Sequence, residues 1–197
     1  MGDRAHWAQI LCFLGYIEYL CTEGSIGILW AKTLKFKDMA KKLNQIGLDN
    51  KAAAELSDKL NVLLANYQLF YMNARGFHWN IRGHKFFELH MKFEELYNDS
   101  LVKIDEIAER VLTLGFTPLH TYSDYSGSST VKEAKNVSDP VEAVREILKG
   151  YEVLLPLERE LLEMSADSGD EGTNALMSDY IREQEKSVWM YSAYLNE

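Results

Sequence analysis

Five side chains in this sequence have the chemistry to hold a metal ion: His78, His90, Glu94, Asp105 and Glu109. Two pairs among them, His90/Glu94 and Asp105/Glu109, repeat at i,i+4 spacing, which on a helix projects both members from one face. Imidazole plus carboxylate is a mixed nitrogen and oxygen donor set. It suits Fe(II), Mn(II) or Zn(II) better than the metals that prefer thiolates. Taken singly, each residue has a plainer reading. A histidine near an apolar face is usually a hydrogen-bonded core or surface residue, and carboxylates on a charged helix are usually solvated or in surface ion pairs of little worth. The signal lies in the joint pattern.

The pattern carries a geometric condition. At 100° per residue, with His90 at zero, Glu94 lies near 40°, Asp105 near 60° and Glu109 near 100°, all on one stripe of one helix. His90 and Asp105 are nevertheless fifteen residues apart, and at about 1.5 Å per residue that is roughly 22 Å, too far to share a metal. One chain therefore carries two incomplete half-sites. Antiparallel pairing of this helix with its copy across a two-fold axis sets His90 and Glu94 of one chain against Asp105 and Glu109 of the other. Symmetry then makes two identical sites, and His78, near the end of the preceding helix, is placed to complete the nitrogen ligation.

The elements that must position these residues are helical. Asp49 can cap a helix from about Asn50 into the seventies, in which Leu56, Leu60, Leu63, Leu64, Tyr67 and Phe70 recur at three- and four-residue steps. After a turn at Ile81-Arg82-Gly83, a second helix runs from about Lys85 to Leu114, with Leu89, Phe93, Leu96, Leu101, Ile104 and Ile107 on its apolar face. Gly115 suits the position after its end and Pro118 prevents continuation. Residues 116–138 form a Ser-, Thr-, Tyr- and Gly-rich crossover with room for a short helical turn. Ser138-Asp139-Pro140, with a capping side chain and a proline at an early helical position, opens a third helix to about Met164, with Pro156 an expected kink. Ser165–Gly172 is expected as a polar loop before a fourth helix from about Thr173 to Leu195. Two short connections and one long crossover describe an all-α, four-helix bundle of ferritin-like connectivity.

Composition is that of a globular chain: 197 residues, 47% hydrophobic and 26% charged. The net charge of −9 argues against a generic nucleic-acid binder and suits attraction of cations. Both cysteines, Cys12 and Cys21, fall in the first 21 residues, so the body has no thiolate zinc site, disulfide framework or cysteine nucleophile. That fits a reducing cytoplasm. Residues 1–38 differ from the rest: they are aromatic-rich, without a sustained helical period, and their uncharged stretches fall short of the about 20 residues that span a bilayer. An upstream in-frame translation with Met39 as the natural start is the first reading, and a signal or membrane-associating tail is the other. The expected domain is 39–197, which keeps the net charge of −9 because the first 38 residues carry four acidic and four basic side chains.

The stretches Asn73-Ala-Arg-Gly-Phe-His-Trp-Asn-Ile-Arg-Gly83, Phe87-Glu-Leu-His-Met-Lys-Phe-Glu-Glu-Leu-Tyr97 and Asp105-Glu-Ile-Ala-Glu-Arg110 resemble the Dps family, the mini-ferritins or DNA-binding proteins from starved cells, from about Ile46 onward. The resemblance implies a hollow dodecamer with ferroxidase sites at two-fold interfaces. It assigns His78, His90 and Glu94 to one subunit and Asp105 and Glu109 to its mate, with Glu94 where some members have aspartate. It further implies oxidation of Fe(II) to Fe(III), preferentially by hydrogen peroxide, with ferric iron stored inside the shell and DNA spared oxidative damage. Trp79 is expected to pack in the core or against the site, or to intercept stray oxidising equivalents. Asp167, Asp170 and Glu171 are candidates for an iron passage through the shell, against the plainer reading of a solvated acidic turn. No Glu stands three residues before any histidine, which disfavours the Glu-x-x-His sites that large ferritins build inside one bundle; His84 and His120 are expected on the surface. The alternative function is a nucleoid-associated, DNA-binding structural protein with little ferroxidase activity. For that role Lys41-Lys42 is a weak basic element, joined by Lys32, Lys35 and Lys37 if the chain starts early, and twelve subunits at −9 would total roughly a hundred negative charges opposing DNA.

Overall fold

The computed structural model describes residues 42–196. The expected boundary at Met39, the segment 1–38 and Lys41 lie outside the described residues. From Leu43 onward the chain forms a structural unit of its own. Five helices form it: α1 (Asn50–Asn80), α2 (Phe86–Thr113), the short α3 (Tyr122–Ser128), α4 (Pro140–Ser168) and α5 (Glu171–Leu195). α1 packs against α2, α3 and α4, and α4 packs against α5. This is the four-helix bundle with a crossover between its second and third long helices, and α3 is the helical turn within that crossover.

Local chemistry sets the helix ends. The Asp49 carboxylate accepts from the backbone N–H groups of Lys51 and Ala52, and the Asp139 carboxylate accepts from Glu142 N–H just ahead of Pro140. Gly115, at φ +97°, closes α2. The end of α4 departs from expectation. Ser165–Gly172 is not a loop: α4 continues to Ser168 and only Gly169 and Asp170 separate it from α5. The serine hydroxyls turn back onto the helix, Ser165 Oγ to Leu162 O and Ser168 Oγ to Met164 O, so the polar run stays helical until Gly169 adopts φ +70°. Pro156, the expected kink position, lies within α4 on its exposed side.

The crossover is held by asparagines of α1. Asn66 Oδ1 accepts from the backbone N–H of Thr130 and of Val131, each at 2.9 Å. Asn73 clasps Ala134 N–H and Lys132 C=O, and Asn61 accepts from Leu119 N–H. Side-chain amides thus satisfy a backbone that has no ladder of its own.

The core is apolar with one polar inclusion. Leu60, Leu63, Phe77, Phe93, Ile107 and Leu154 are fully buried, and Gly150 leaves room for Phe70, whose ring a Cβ would overlap. Leu101, expected on the apolar face of α2, is instead half exposed. Among these apolar groups Glu158 is wholly buried. Its Oε1 accepts from Tyr67 Oη at 2.8 Å and from Gln184 Nε2, which also donates to Tyr67 Oη at 2.6 Å. Its other oxygen has no hydrogen-bond partner among the described residues. Burial pushes the Glu158 carboxyl up to about 7, against the hydrogen bonds from Gln184 and Tyr67 and the charges of Lys103 and Arg159. The folded state therefore binds a proton more tightly than the unfolded chain, whose glutamates titrate near about 4.3. The associated stability is full below that value and lost as pH rises through about 7, on the order of 3 kcal/mol in all. Glu158→Gln should remove this loss. Urea unfolding at pH 5 and pH 8 should show wild type losing more stability than the variant across the interval.

Candidate metal centre

The two histidines meet where α1 ends and α2 begins. His78 Nδ1 lies 2.8 Å from His90 O, and His90 Nδ1 lies 2.8 Å from His78 O. Their rings stack with centroids 3.8 Å apart, and Phe86 stacks on the other side of His90 at 5.0 Å. The exchange has a backbone cause. His78 O sits in the last turn of α1, and the N–H that would reach it in a longer helix, that of Arg82, bonds instead to Ser138 O. The His90 ring satisfies this orphaned carbonyl.

A carbonyl only accepts, so each Nδ1 must carry hydrogen. In the neutral ring, Nε2 then keeps its lone pair. Fixing one nitrogen by a hydrogen bond so that the other can ligate is how proteins orient metal-binding histidines. Both imidazoles are thus arranged as Nε2 donors, and both are only partly buried.

The carboxylates Glu94, Asp105 and Glu109 all lie exposed on α2. Among the described residues, no three His, Cys, Asp or Glu side chains converge to hold a metal ion. The structure brings His78 and His90 together and leaves Asp105 and Glu109 farther along the same helix. Phe87, Met91, Leu101, Val102 and Leu112 are also exposed on α2, by 50–79%. On the angular scale that has His90 at zero, these five fall between about 20° and about 120°, the same stripe as the carboxylates. Large apolar side chains exposed together on one helix face have the character of an interaction surface.

Trp79 is not a core residue of the subunit: it is 56% exposed, with the Arg75 guanidinium 4.8 Å from its ring centroid. Arg75 also donates to Tyr71 Oη at 2.8 Å, Tyr71 packs edge-on to Tyr97, and Tyr97 packs edge-on to His78 at 5.3 Å. The four-residue steps Tyr71–Arg75–Trp79 were visible in the sequence, but Tyr97 joins only through the α1–α2 packing. Asp170 is buried within the described chain. Its side chain is 1% exposed and paired with Arg110, and it caps α5 by accepting from Thr173 N–H. Burial would raise its carboxyl, but the bonds from Arg110 and Thr173 hold it below the usual range. Asp167 and Glu171 are exposed, as are His84 and His120.

The fold is that of a ferritin-like protein. Residues 57–197 match the ferritin-like domain family. An uncharacterized protein of Haemophilus influenzae is 53% identical over 148 residues, 75% of this chain and 92% of the relative. The DNA protection during starvation protein of Porphyromonas gingivalis is 40% identical over 156 residues, 79% of this chain and 98% of the relative. The crystal structure of the Dps protein from Vibrio cholerae O1, described as a member of a broad superfamily of ferritin-like diiron-carboxylate proteins, is 52% identical. It superimposes with a TM-score of 0.77 over 78% of this chain and 97% of that one. The chain belongs to the Dps family.

One prediction follows from the histidine exchange. Nitrogen NMR of the metal-free protein above the imidazole titration range should show His78 and His90 as Nδ1–H tautomers with bare Nε2. Rings protonated at Nε2 would contradict the donor assignment.

Proposed function

We propose that the protein is a ferroxidase and iron store that oxidises Fe(II), preferentially with hydrogen peroxide, and holds Fe(III) inside a hollow dodecamer, protecting DNA from oxidative damage. Iron is both substrate and cargo. The observation that carries this reading is the α2 stripe: His90, its ring oriented together with that of His78 on α1, and Glu94 toward one end, Asp105 and Glu109 toward the other, and exposed apolar side chains throughout. Pairing two such stripes antiparallel buries the apolar residues and assembles His78, His90 and Glu94 of one copy with Asp105 and Glu109 of another, twice per dimer. The name of the Porphyromonas relative and the diiron-carboxylate description of the Vibrio structure support the same reading.

The residues have separable tasks in this scheme. The two Nε2 atoms bind Fe(II) as neutral donors, and the carboxylates stabilise the more highly charged Fe(III), which drives oxidation. Two Fe(II) ions give one electron each to hydrogen peroxide, so both of its oxygens leave as hydroxide or water. Asp167 and Glu171, exposed beside the α4–α5 turn, are proposed to line the passage into the shell, and Asp170 with Arg110 to brace it. We place the protein in the cytoplasm. Among the described residues no helix is long and apolar enough to cross a membrane.

A shared site makes a sharp prediction. His90→Ala and Asp105→Ala should each abolish fast Fe(II) oxidation while leaving assembly intact. When the two variants are unfolded together and reassembled, each mixed dimer regains one site of wild-type composition. Stopped-flow absorbance after adding peroxide to anaerobic Fe(II)-loaded protein should then show about a quarter of the wild-type rate, because half the dimers are mixed and half their sites intact. A site built within one chain would recover nothing.

The competing reading, a DNA-compacting protein, is opposed by the charge of −9 per subunit. In gel shifts at moderate salt, forms starting at Met1 and at Met39 should both leave DNA unretarded. Robust retardation by the Met39 form would reverse this ranking.

A further inference from the structure

We propose that Tyr67, with Glu158 as its proton acceptor, is a buried one-electron redox site that serves the iron centre as a temporary electron donor. The inference rests on the ferroxidase reading above. A phenol that loses an electron becomes a strong acid, so a tyrosine works as a reversible donor only where a base stands ready for its proton. Tyr67 is 2% exposed and donates at 2.8 Å to Glu158, which is fully buried and has a second oxygen without a hydrogen-bond partner among the described residues. Gln184 holds both groups in register by donating to each. Burial and the adjacent carboxylate keep the Tyr67 phenol well above its ordinary value, so its proton stays until the electron leaves. The same burial makes Glu158 a stronger base than an ordinary carboxylate.

The aromatic side chains nearer the iron site are worse resting places for an electron hole. Trp79 lies against the Arg75 guanidinium, and Tyr71 accepts a hydrogen bond from it. A positive charge at that range opposes removal of an electron. These rings do offer a route inward. His78 packs on Tyr97 at 5.3 Å, Tyr97 on Tyr71 at 6.1 Å, and Tyr71 stands one helical turn from Tyr67 on α1. Tyr180, which donates to Glu106, packs edge-on to Tyr67 at 6.1 Å on its other side.

The chemistry balances. When a lone Fe(II) meets hydrogen peroxide, one electron cleaves the O–O bond and yields Fe(III), hydroxide and a hydroxyl radical. Tyr67 supplies the electron that converts this radical to hydroxide. Its phenolic proton moves to Glu158 Oε1, leaving a neutral tyrosyl radical beside a neutral carboxylic acid. A second Fe(II) then returns an electron to the phenoxyl oxygen, becoming Fe(III), and Glu158 returns the proton. In total two Fe(II) and one peroxide give two Fe(III) and two hydroxides, and no radical escapes.

The test is freeze-quench EPR on the assembled full-length protein, loaded with less than one Fe(II) per site and mixed with excess peroxide. Wild type should give a tyrosyl signal that Tyr67→Phe largely loses, Glu158→Gln lowers several-fold and Tyr180→Phe leaves intact. A signal undiminished in Tyr67→Phe overturns the assignment. Two measurements on wild type do not depend on how the variants fold. Ring-deuterated tyrosine should narrow the signal and heavy water should slow its formation, and failure of either also overturns the proposal. Parallel absorbance separates this inference from its premise. Fast ferric formation without any tyrosyl signal overturns the Tyr67 site alone. Absent ferric formation removes the ferroxidase reading and with it the service to iron. Photogenerated ruthenium(III) tris-bipyridine, applied without iron, should still oxidise Tyr67 in wild type, and a silent protein there counts against the site itself.

Discussion

Two histidines at adjoining ends of α1 and α2 trade hydrogen bonds through their Nδ1 atoms, and the proposed chemistry depends on this exchange. It caps a carbonyl that α1 leaves unmet, pins two helices to each other, and leaves the opposite nitrogen of each ring bare. Structural and chemical roles share the same atoms: the proton that secures the fold is the one that frees Nε2. The rise of the helix then limits what a single chain can build. Asp105 and Glu109 lie several turns beyond His90, and no packing within one subunit shortens that distance.

Much of this organisation was legible in the sequence because it is local. The helix starts after Asp49 and Asp139 follow from a capping carboxylate in each case, and in the second from an adjacent proline as well. The long crossover followed from its composition. The end of α4 was not legible, because serine hydroxyls that bond back to helical carbonyls look, in sequence, like those of a loop. The apolar-face reading of Leu101 and the core reading of Trp79 fail for a different reason. A helical period says which residues share a face but not whether that face meets the subunit core or another copy, and both side chains are exposed on the subunit.

The candidate site divides along the same line. Spacing alone set the four α2 residues on one stripe, whereas the ring exchange between His78 and His90 needed the α1–α2 hairpin to be seen. Asp170 shows the limit of reading acidity as function. Three acidic residues cluster near the α4–α5 turn, yet one is consumed as a helix cap and as the counter-charge of Arg110. Glu158 was hidden for the opposite reason. It interrupts the buried run Ile147, Tyr151, Leu154, Leu161 at a core-facing position, and only its neighbours Tyr67 and Gln184 reveal why a carboxylate is there.

The asparagine clasps of α1 bear on where this fold can change. The irregular strand of chain from Thr130 to Ala134 draws its backbone partners from Asn66 and Asn73, so its shape is imposed from outside by two amides. The side chains of Lys132, Glu133 and Lys135 are exposed, and only the backbone carbonyl of Lys132 takes part in that support. Surface charge here can be rewritten from one homologue to the next, or by an engineer grafting a binding peptide, while the scaffold beneath stays as it is.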